Sequence, residues 1–288
     1  MFATCHGTVR RNSMDAFTNI PTAGKIAMKF AVSEGDENDD SEEGGDPTDR
    51  LIGVELLTEE DDVLLATRHG KAIRFKSTDV REFQSRNSMG VRGVRLIGDD
   101  QVISMSILRR VGTTQEEREA YLKCPSWREK DVECSLPPER YAEIAEKEQF
   151  ILTITENGYG KRSSAYEYRR TNRGGQGITN IDTSERNGNV VASFPAKLGE
   201  QIMLVTDQAK MIRTTVGDIR VMGRNTQGVT IFRVAEGERV VSVAKIEETD
   251  EEVEFEADGE LAPDDGAVVG EEELDTPVDP EVRPAGDE

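Results

Sequence analysis

Apolar residues in this chain come in short runs, and the runs repeat in one frame four times. The aligned segments are Met1–Phe30, Val63–Leu96, Phe150–Ile181 and Gln201–Val234. Each opens on a strand-like run (Met1–Ala3, Val63–Ala66, Ile151–Ile154, Ile202–Val205) followed by a threonine (Thr4, Thr67, Thr155, Thr206). Three residues on stands a small residue, Gly7, Gly70, Gly158 or Ala209, after His6, His69, Asn157 or Gln208. That pattern predicts a two-residue hairpin turn with positive φ. An apolar position follows (Phe17, Val80, Tyr168, Ile219), preceded in three copies by an acid (Asp79, Glu167, Asp218). A polar loop then ends at a second glycine (Gly24, Gly90, Gly177, Gly228), with an apolar side chain four residues beyond (Met28, Val94, Ile181, Phe232). A final apolar stretch closes each unit: Leu51–Leu56, Val102–Leu108, Val190–Phe194, Val240–Ile246.

Four short strands in a unit of roughly 50 residues is the size of one blade of a radial β architecture. The fold expected is all-β: a propeller-like array of about four four-stranded blades, near 1–56, 63–108, 150–194 and 201–246. Two inserts break the period. Residues 33–49 read as an acidic, Gly-rich loop. Residues 111–149 read as a surface excursion with a short helix opening at Pro137-Pro138 and running through Lys147. Trp127, in this insert, reads as a packing anchor.

Composition agrees with many lightly packed units, since aromatics make up only 5% of the residues. No apolar run approaches the roughly 20 residues needed to span a bilayer, and no signal peptide is evident, so a cytoplasmic location is expected. Cys5, Cys124 and Cys134 are too few and too scattered for a disulfide framework or a zinc site; Cys124 and Cys134 could meet, but reduced thiols are expected.

The net charge of −21 argues at first against nucleic acid, but its distribution reverses the argument. Residues 247–288 hold 19 acids and one base, and Glu34–Asp49 holds nine acids and none. With both set aside the remainder carries +6. A mildly basic folded body (1–246) with a disordered acidic tail (247–288) is expected, the tail either competing with DNA for the basic surface or only solubilising the chain.

One register could carry that binding. Four positions past the turn every copy has arginine: Arg11, Arg74, Arg162, Arg213. With Arg10, Lys71, Lys161 and Lys210 beside them, these would form a basic stripe suited to the phosphates of a bent duplex. The alternative is that each arginine pairs with its own blade's acid and staples the hairpin. The loop Arg169-Arg170-Thr171-Asn172-Arg173-Gly174-Gly175-Gln176-Gly177 is the most basic and glycine-rich in the chain, and its backbone could approach phosphate closely. No catalytic or metal-binding grouping is apparent: His6 and His69 occupy turns, and Tyr168 occupies a core register.

These runs resemble the C-terminal domain of the DNA gyrase A protein. The matching residues include Gly70-Lys71-Ala72-Ile73-Arg74-Phe75, Gly90-Val91-Arg92-Gly93-Val94-Arg95-Leu96, Asn157-Gly158-Tyr159-Gly160-Lys161-Arg162 and Gly223-Arg224-Asn225-Thr226-Gln227-Gly228-Val229. Arg92 and Arg224 within them complete the candidate DNA contacts. The resemblance implies a β-pinwheel whose basic rim wraps double-stranded DNA, supporting ATP-dependent negative supercoiling. It implies as partners the rest of the gyrase A protein and the gyrase B protein, in the nucleoid of a bacterial cytoplasm. ATP and Mg are expected only in other parts of that holoenzyme, with no cofactor and no membrane contact here. The family's first-blade motif is absent, and the chain reads as a fragment beginning inside a third blade. Arg170–Gly177 is a degenerate likeness of that motif. The alternatives are the equivalent C-terminal domain of topoisomerase IV and a propeller-like protein-interaction scaffold.

Overall fold

A computed structural model describes residues 1–30, 49–127 and 134–246. The expected acidic loop, apart from Asp49, and the expected disordered tail lie outside these residues. The strands in chain order are β1 (Phe2–Thr4), β2 (Thr8–Arg10), β3 (Leu51–Val54), β4 (Asp61–Thr67), β5 (Lys71–Lys76), β6 (Val91–Arg92), β7 (Val102–Arg109), β8 (Phe150–Thr155), β9 (Tyr159–Ser164), β10 (Ile178–Thr179), β11 (Val190–Pro195), β12 (Gln201–Thr206), β13 (Met211–Thr215), β14 (Val229–Thr230) and β15 (Val240–Ile246). They form four small antiparallel sheets in a propeller-like array.

The sheet orders are β3-β1-β2-β6, β7-β4-β5-β10, β11-β8-β9-β14 and β15-β12-β13. The repeat and the blade are therefore different units. In each complete sheet the two-residue outer strand comes from the following repeat: β6 pairs with β2, β10 with β5 and β14 with β9. Among the described residues the expected array of about four four-stranded blades is present as four sheets, three of four strands and one of three. Among the described residues no strand pairs with the outer edge of β13 in the last repeat.

Strand exchange explains the glycines. In β-hairpin turns Gly70 and Gly158 have φ of +77° and +75°. Their carbonyls each accept two amides from the next repeat, Asn180 and Ile181 on Gly70, Ile231 and Phe232 on Gly158. A Cβ at Gly158 would lie 2.1 Å from the Phe232 carbonyl oxygen. The last copy has the same turn with Ala209 at φ 59°. Among the described residues no following repeat crowds it, which leaves the modest cost of a left-handed alanine.

The core lies between successive sheets. Side chains alternate along a strand, so on β4 Val63 and Leu65 pack with Ala3 and Val9 of the first sheet, while Leu64 packs with Ile151 and Tyr168 of the third. Leu152 and Ile154 then meet Ile202, Leu204 and Val240 of the fourth. Both faces of the middle sheets are covered, which is why β4 and β8 read as continuous apolar runs. In the fourth sheet β12 alternates buried and half-buried positions, and β13 is largely exposed. Innermost strands join the sheets: β3 packs on β7, β7 on β11 and β11 on β15.

The insert holds two helices rather than one, α1 (Gln115–Lys123) and α2 (Pro138–Glu146). The missed helix begins at a capping box, Thr114 with Glu117. Tyr121 and Ile144 bury against Tyr166, whose hydroxyl donates to the Ile144 carbonyl at 2.9 Å. Half-buried Trp127 donates to Glu148 at 3.2 Å. The expectation of reduced thiols is corrected for Cys124 and Cys134: they are joined as a disulfide, Cα atoms 5.7 Å apart, with Cys124 at the end of α1 and Cys134 just before α2. Tyr168 is fully buried, its hydroxyl donating to Asn180, as its register predicted.

Candidate nucleic-acid interface

After the hairpin the chain makes a one-turn 3-10 helix (Ser77–Asp79, Ala165–Glu167, Val216–Asp218). It then runs along the outer edge of the preceding sheet as a loop and ends in that sheet's outer strand. Backbone bridges Arg11–Glu82, Arg74–Arg170 and Arg162–Val221 mark where each loop reaches that edge. These loops form the rim, and three arginine registers behave differently on them.

The first register is the arginine after the turn. Arg74 donates from Nε to Asp62 at 2.8 Å and from Nη1 to the Ala165 carbonyl at 2.9 Å. Arg162 donates to the Ile219 and Gly217 carbonyls at 2.6 and 3.2 Å. Both are buried, and both tie their sheet to the 3-10 turn of the next repeat. Their acidic partner, where there is one, is not the same-blade Asp79 or Glu167 weighed from the sequence; for Arg74 it is Asp62. Arg11 is half-buried, with Nη1 3.5 Å from Glu59. Arg213, in the fourth sheet, is exposed and donates to Gln201.

The second register lies within the loops. Arg86, Arg173 and Arg224 each donate from Nη1 to one equivalent carbonyl of the preceding repeat: Ile26 at 3.1 Å, Arg92 at 2.9 Å and Thr179 at 2.8 Å. They link one loop to its neighbour. Buried Arg10 and Lys161 brace the same loops from beneath. Arg10 reaches the carbonyls of Arg86 and Ser88. Lys161 Nζ donates to the carbonyls of Gly223, Arg224 and Thr226 at 2.8, 2.6 and 2.9 Å. Burial pulls the Lys161 ammonium down to about 7. Arg10, Arg74 and Arg162 are likewise lowered by loss of solvent.

The third register opens each loop: Arg81, Arg169 and Arg220, all exposed. Arg81 stacks over Phe83 with its guanidinium carbon 4.3 Å from the ring centre. Sequence reasoning reached Arg169 but missed Arg81 and Arg220. The signal was present as an acid–apolar–arginine triplet in three repeats: Asp79-Val80-Arg81, Glu167-Tyr168-Arg169, Asp218-Ile219-Arg220. Also exposed are Arg92 on β6, Lys71 on β5 with Nζ 3.4 Å from Thr179 Oγ1, and Arg170 with Nη1 3.6 Å from Asp62. Lys210 is exposed but pairs at 2.7 Å with Glu238, whose carboxyl is held down at about 2 by Lys210 and Thr206.

The candidates thus divide by position. Arg10, Arg74, Lys161 and Arg162 are buried braces; Arg11, Arg173 and Arg224 are half-buried; Lys71, Arg92, Arg169, Arg170, Lys210 and Arg213 face solvent. Among the described residues no helix is long and apolar enough to cross a membrane.

The profile of a family described as DNA gyrase C-terminal domain, beta-propeller, matches residues 61–109, 149–197 and 200–247. The matched spans cover the last three repeats; the first forms the same kind of sheet without a match. The DNA gyrase A protein of Rickettsia bellii is 42% identical over 272 residues, covering 90% of this chain and 28% of that protein. Its Escherichia coli K12 counterpart is 34% identical over 274 residues, covering 95% of this chain and 25% of the counterpart. The chain therefore spans little more than a quarter of the relatives it matches. Among solved structures, a DNA gyrase A C-terminal domain superposes with a TM-score of 0.59 at 21% identity, over 85% of this chain and 64% of the other. A DNA topoisomerase IV C-terminal domain gives 0.61 at 19%, over 85% and 61%. At those identities the likeness concerns the fold.

Proposed function

This chain belongs to the family of DNA gyrase C-terminal β-propeller domains, and on that footing we propose that its outer rim binds duplex DNA through phosphates. The observation that carries the reading is the row Arg81, Arg169 and Arg220, exposed at one register on three successive outer loops. Lys71, Arg92, Arg170 and Arg213 extend the row. Exposed guanidiniums on a curved array neutralise phosphate without reading bases, so affinity depends on salt and little on sequence. The buried set, Arg10, Arg74, Lys161 and Arg162, serves the same surface indirectly by fixing the loops that carry it. Lys210, Arg11, Arg173 and Arg224 have committed partners and contribute charge at the margins.

Several sheets must act together, since bending a 20–30 bp duplex costs on the order of 1–6 kcal/mol. In this reading the chain works as the C-terminal part of a gyrase A protein, together with the gyrase B protein, in a bacterial cytoplasm, wrapping DNA for ATP-dependent negative supercoiling. ATP and Mg act elsewhere in that holoenzyme. The curated relatives named above are gyrase proteins, which favours gyrase over topoisomerase IV.

The test is anisotropy of a labelled duplex with the full chain across a salt series, wild type against Arg81→Gln/Arg169→Gln/Arg220→Gln. Each lost phosphate contact lowers the slope of log K against log salt by about 0.9, so the variant loses about 3. An unchanged slope refutes the assignment. In a reconstituted holoenzyme, supercoiling identifies gyrase, whereas relaxation and decatenation alone identify topoisomerase IV.

A further inference from the structure

The hairpin turn of the first sheet differs from its three counterparts in what it gathers. Cys5 and His6 sit on the turn between β1 and β2, and Asp49 stands just before β3. Asp49 accepts the His6 backbone N–H at 3.1 Å and the Cys5 thiol at 3.3 Å. His6 Nδ1 lies 4.0 Å from the same carboxylate oxygen. One ligand atom from each residue falls within 4.8 Å of the other two.

The second repeat provides an internal control. There Asp100 accepts the His69 N–H at 2.8 Å and the Gln101 N–H at 2.9 Å. An aspartate clasping the turn is thus a shared structural device that needs no metal. Two things are peculiar to the first repeat. The residue matching Cys5 is Arg68 in the second, so only the first has a thiol there. The second carboxylate oxygen of Asp49, Oδ2, is buried with no hydrogen-bond partner, and its side chain has 0% exposure. Oδ1 is the oxygen that faces Cys5 and His6, and a cation seated against this buried carboxylate offsets the cost of its burial with one oxygen unpaired.

We propose that Cys5, His6 and Asp49 form a zinc site that clasps the first hairpin turn to the start of β3. Thiolate, imidazole and carboxylate together form a donor set that selects a borderline ion such as Zn²⁺ over the hard cations Mg²⁺ and Ca²⁺. Tetrahedral zinc with ordinary bond lengths places its ligand atoms about 3.3–3.6 Å apart. The sulfur–carboxylate pair already stands at that separation. The His6 ring, 35% exposed and 4.0 Å from the carboxylate, closes the remaining gap by a side-chain rotation on ion uptake and marks the side from which the ion arrives. The ion replaces the thiol proton that now bridges Cys5 to Asp49, so uptake releases a proton. Water completes the fourth position.

The three ligands come from separated parts of the sequence: Asp49 lies 43 residues beyond His6. No Cys/His spacing pattern announces the site. Its existence is independent of whether the rim binds DNA.

The test uses the full chain, reduced and stripped with a chelator, then titrated with Co²⁺ and, in competition with a chromophoric chelator, with Zn²⁺. One equivalent of Co²⁺ is expected to give a thiolate-to-cobalt charge-transfer band and intense four-coordinate visible bands. Both persist in Cys124→Ser/Cys134→Ser, where Cys5 is the sole thiol, and the charge-transfer band disappears in Cys5→Ser. His6→Gln and Asp49→Asn weaken Zn²⁺ binding by more than about a hundredfold, beyond the roughly 10–100-fold that loss of an outer-shell partner gives. Asp49→Asn keeps an oxygen that can accept the His6 N–H, so the turn survives the change. Absence of the charge-transfer band at one equivalent, or its survival in Cys5→Ser, overturns the proposal.

Discussion

Replacing Lys161 with methionine isolates a buried charge whose two environments pull in opposite directions. Its ammonium is fully buried, which favours the neutral amine, yet three carbonyls and the Thr226 hydroxyl surround it, which favours the charged form. Burial wins in this structure, lowering the group from its ordinary 10.5 to about 7. In the unfolded chain the same lysine titrates at its ordinary value. Between those two pH values the unfolded chain binds a proton that the folded chain does not, so stability rises with pH. The rise is about 1.4 kcal/mol per pH unit. Below about pH 7 both states are protonated, and above about 10.5 neither is, so the contribution is flat outside the window. Methionine has no such titration. Urea unfolding of wild type and Lys161→Met at pH 7.5, 8.5 and 9.5 should show wild type gaining about 2–3 kcal/mol on the variant across the series. All other groups titrate alike in the two proteins and cancel in the difference. Parallel pH profiles would refute the reasoning and show that the oxygen cage outweighs burial.

Two contrasts between the last repeat and the others follow from the open outer edge of the fourth sheet among the described residues. Gly158→Ala, which drives a Cβ into the Phe232 carbonyl at positive φ, should cost more than about 1 kcal/mol, whereas Ala209→Gly should be neutral or slightly stabilising; equal urea midpoints for the two would sink the crowding argument. Arg162→Met leaves the Ile219 and Gly217 carbonyls without their donor and should cost about 2–4 kcal/mol, against less than about 0.5 kcal/mol for exposed Arg213→Met. A comparable loss at both sites in thermal unfolding would mean that the register is not an inter-sheet brace.

The exchanged strand shows where sequence reasoning stopped. Gly177-Ile178-Thr179 was visible as the end of a polar loop in the third repeat, but nothing local says which sheet edge it joins. Periodicity reports which face of a strand is apolar; pairing is decided by which edge has unpaired N–H and C=O groups within reach. For β10 that edge is β5 of the preceding repeat, where Ile178 lies opposite Ala72. The same ignorance affected the arginines. Arg74, Arg169 and Arg173 are alike as letters, and a repeating cation suggests a ligand as readily as a brace. Only the arrival of the next repeat's carbonyls around Arg74 and Arg162, while Arg169 and Arg220 stay exposed, separates the two uses.

The sequence by itself determined the all-β class, the four-copy frame, the positive-φ turn and the burial of Tyr168, because each rests on local chirality or on side-chain alternation within a few residues. It also determined the family, through runs such as Gly90–Leu96. The tertiary structure alone decided that a blade is shared between two repeats, and that the rim's exposed charge lies at Arg81, Arg169 and Arg220. It alone brought Asp49 to Cys5 and His6. These depend on contacts between residues tens of positions apart, and such contacts form only when one sheet's edge and face are offered to the next.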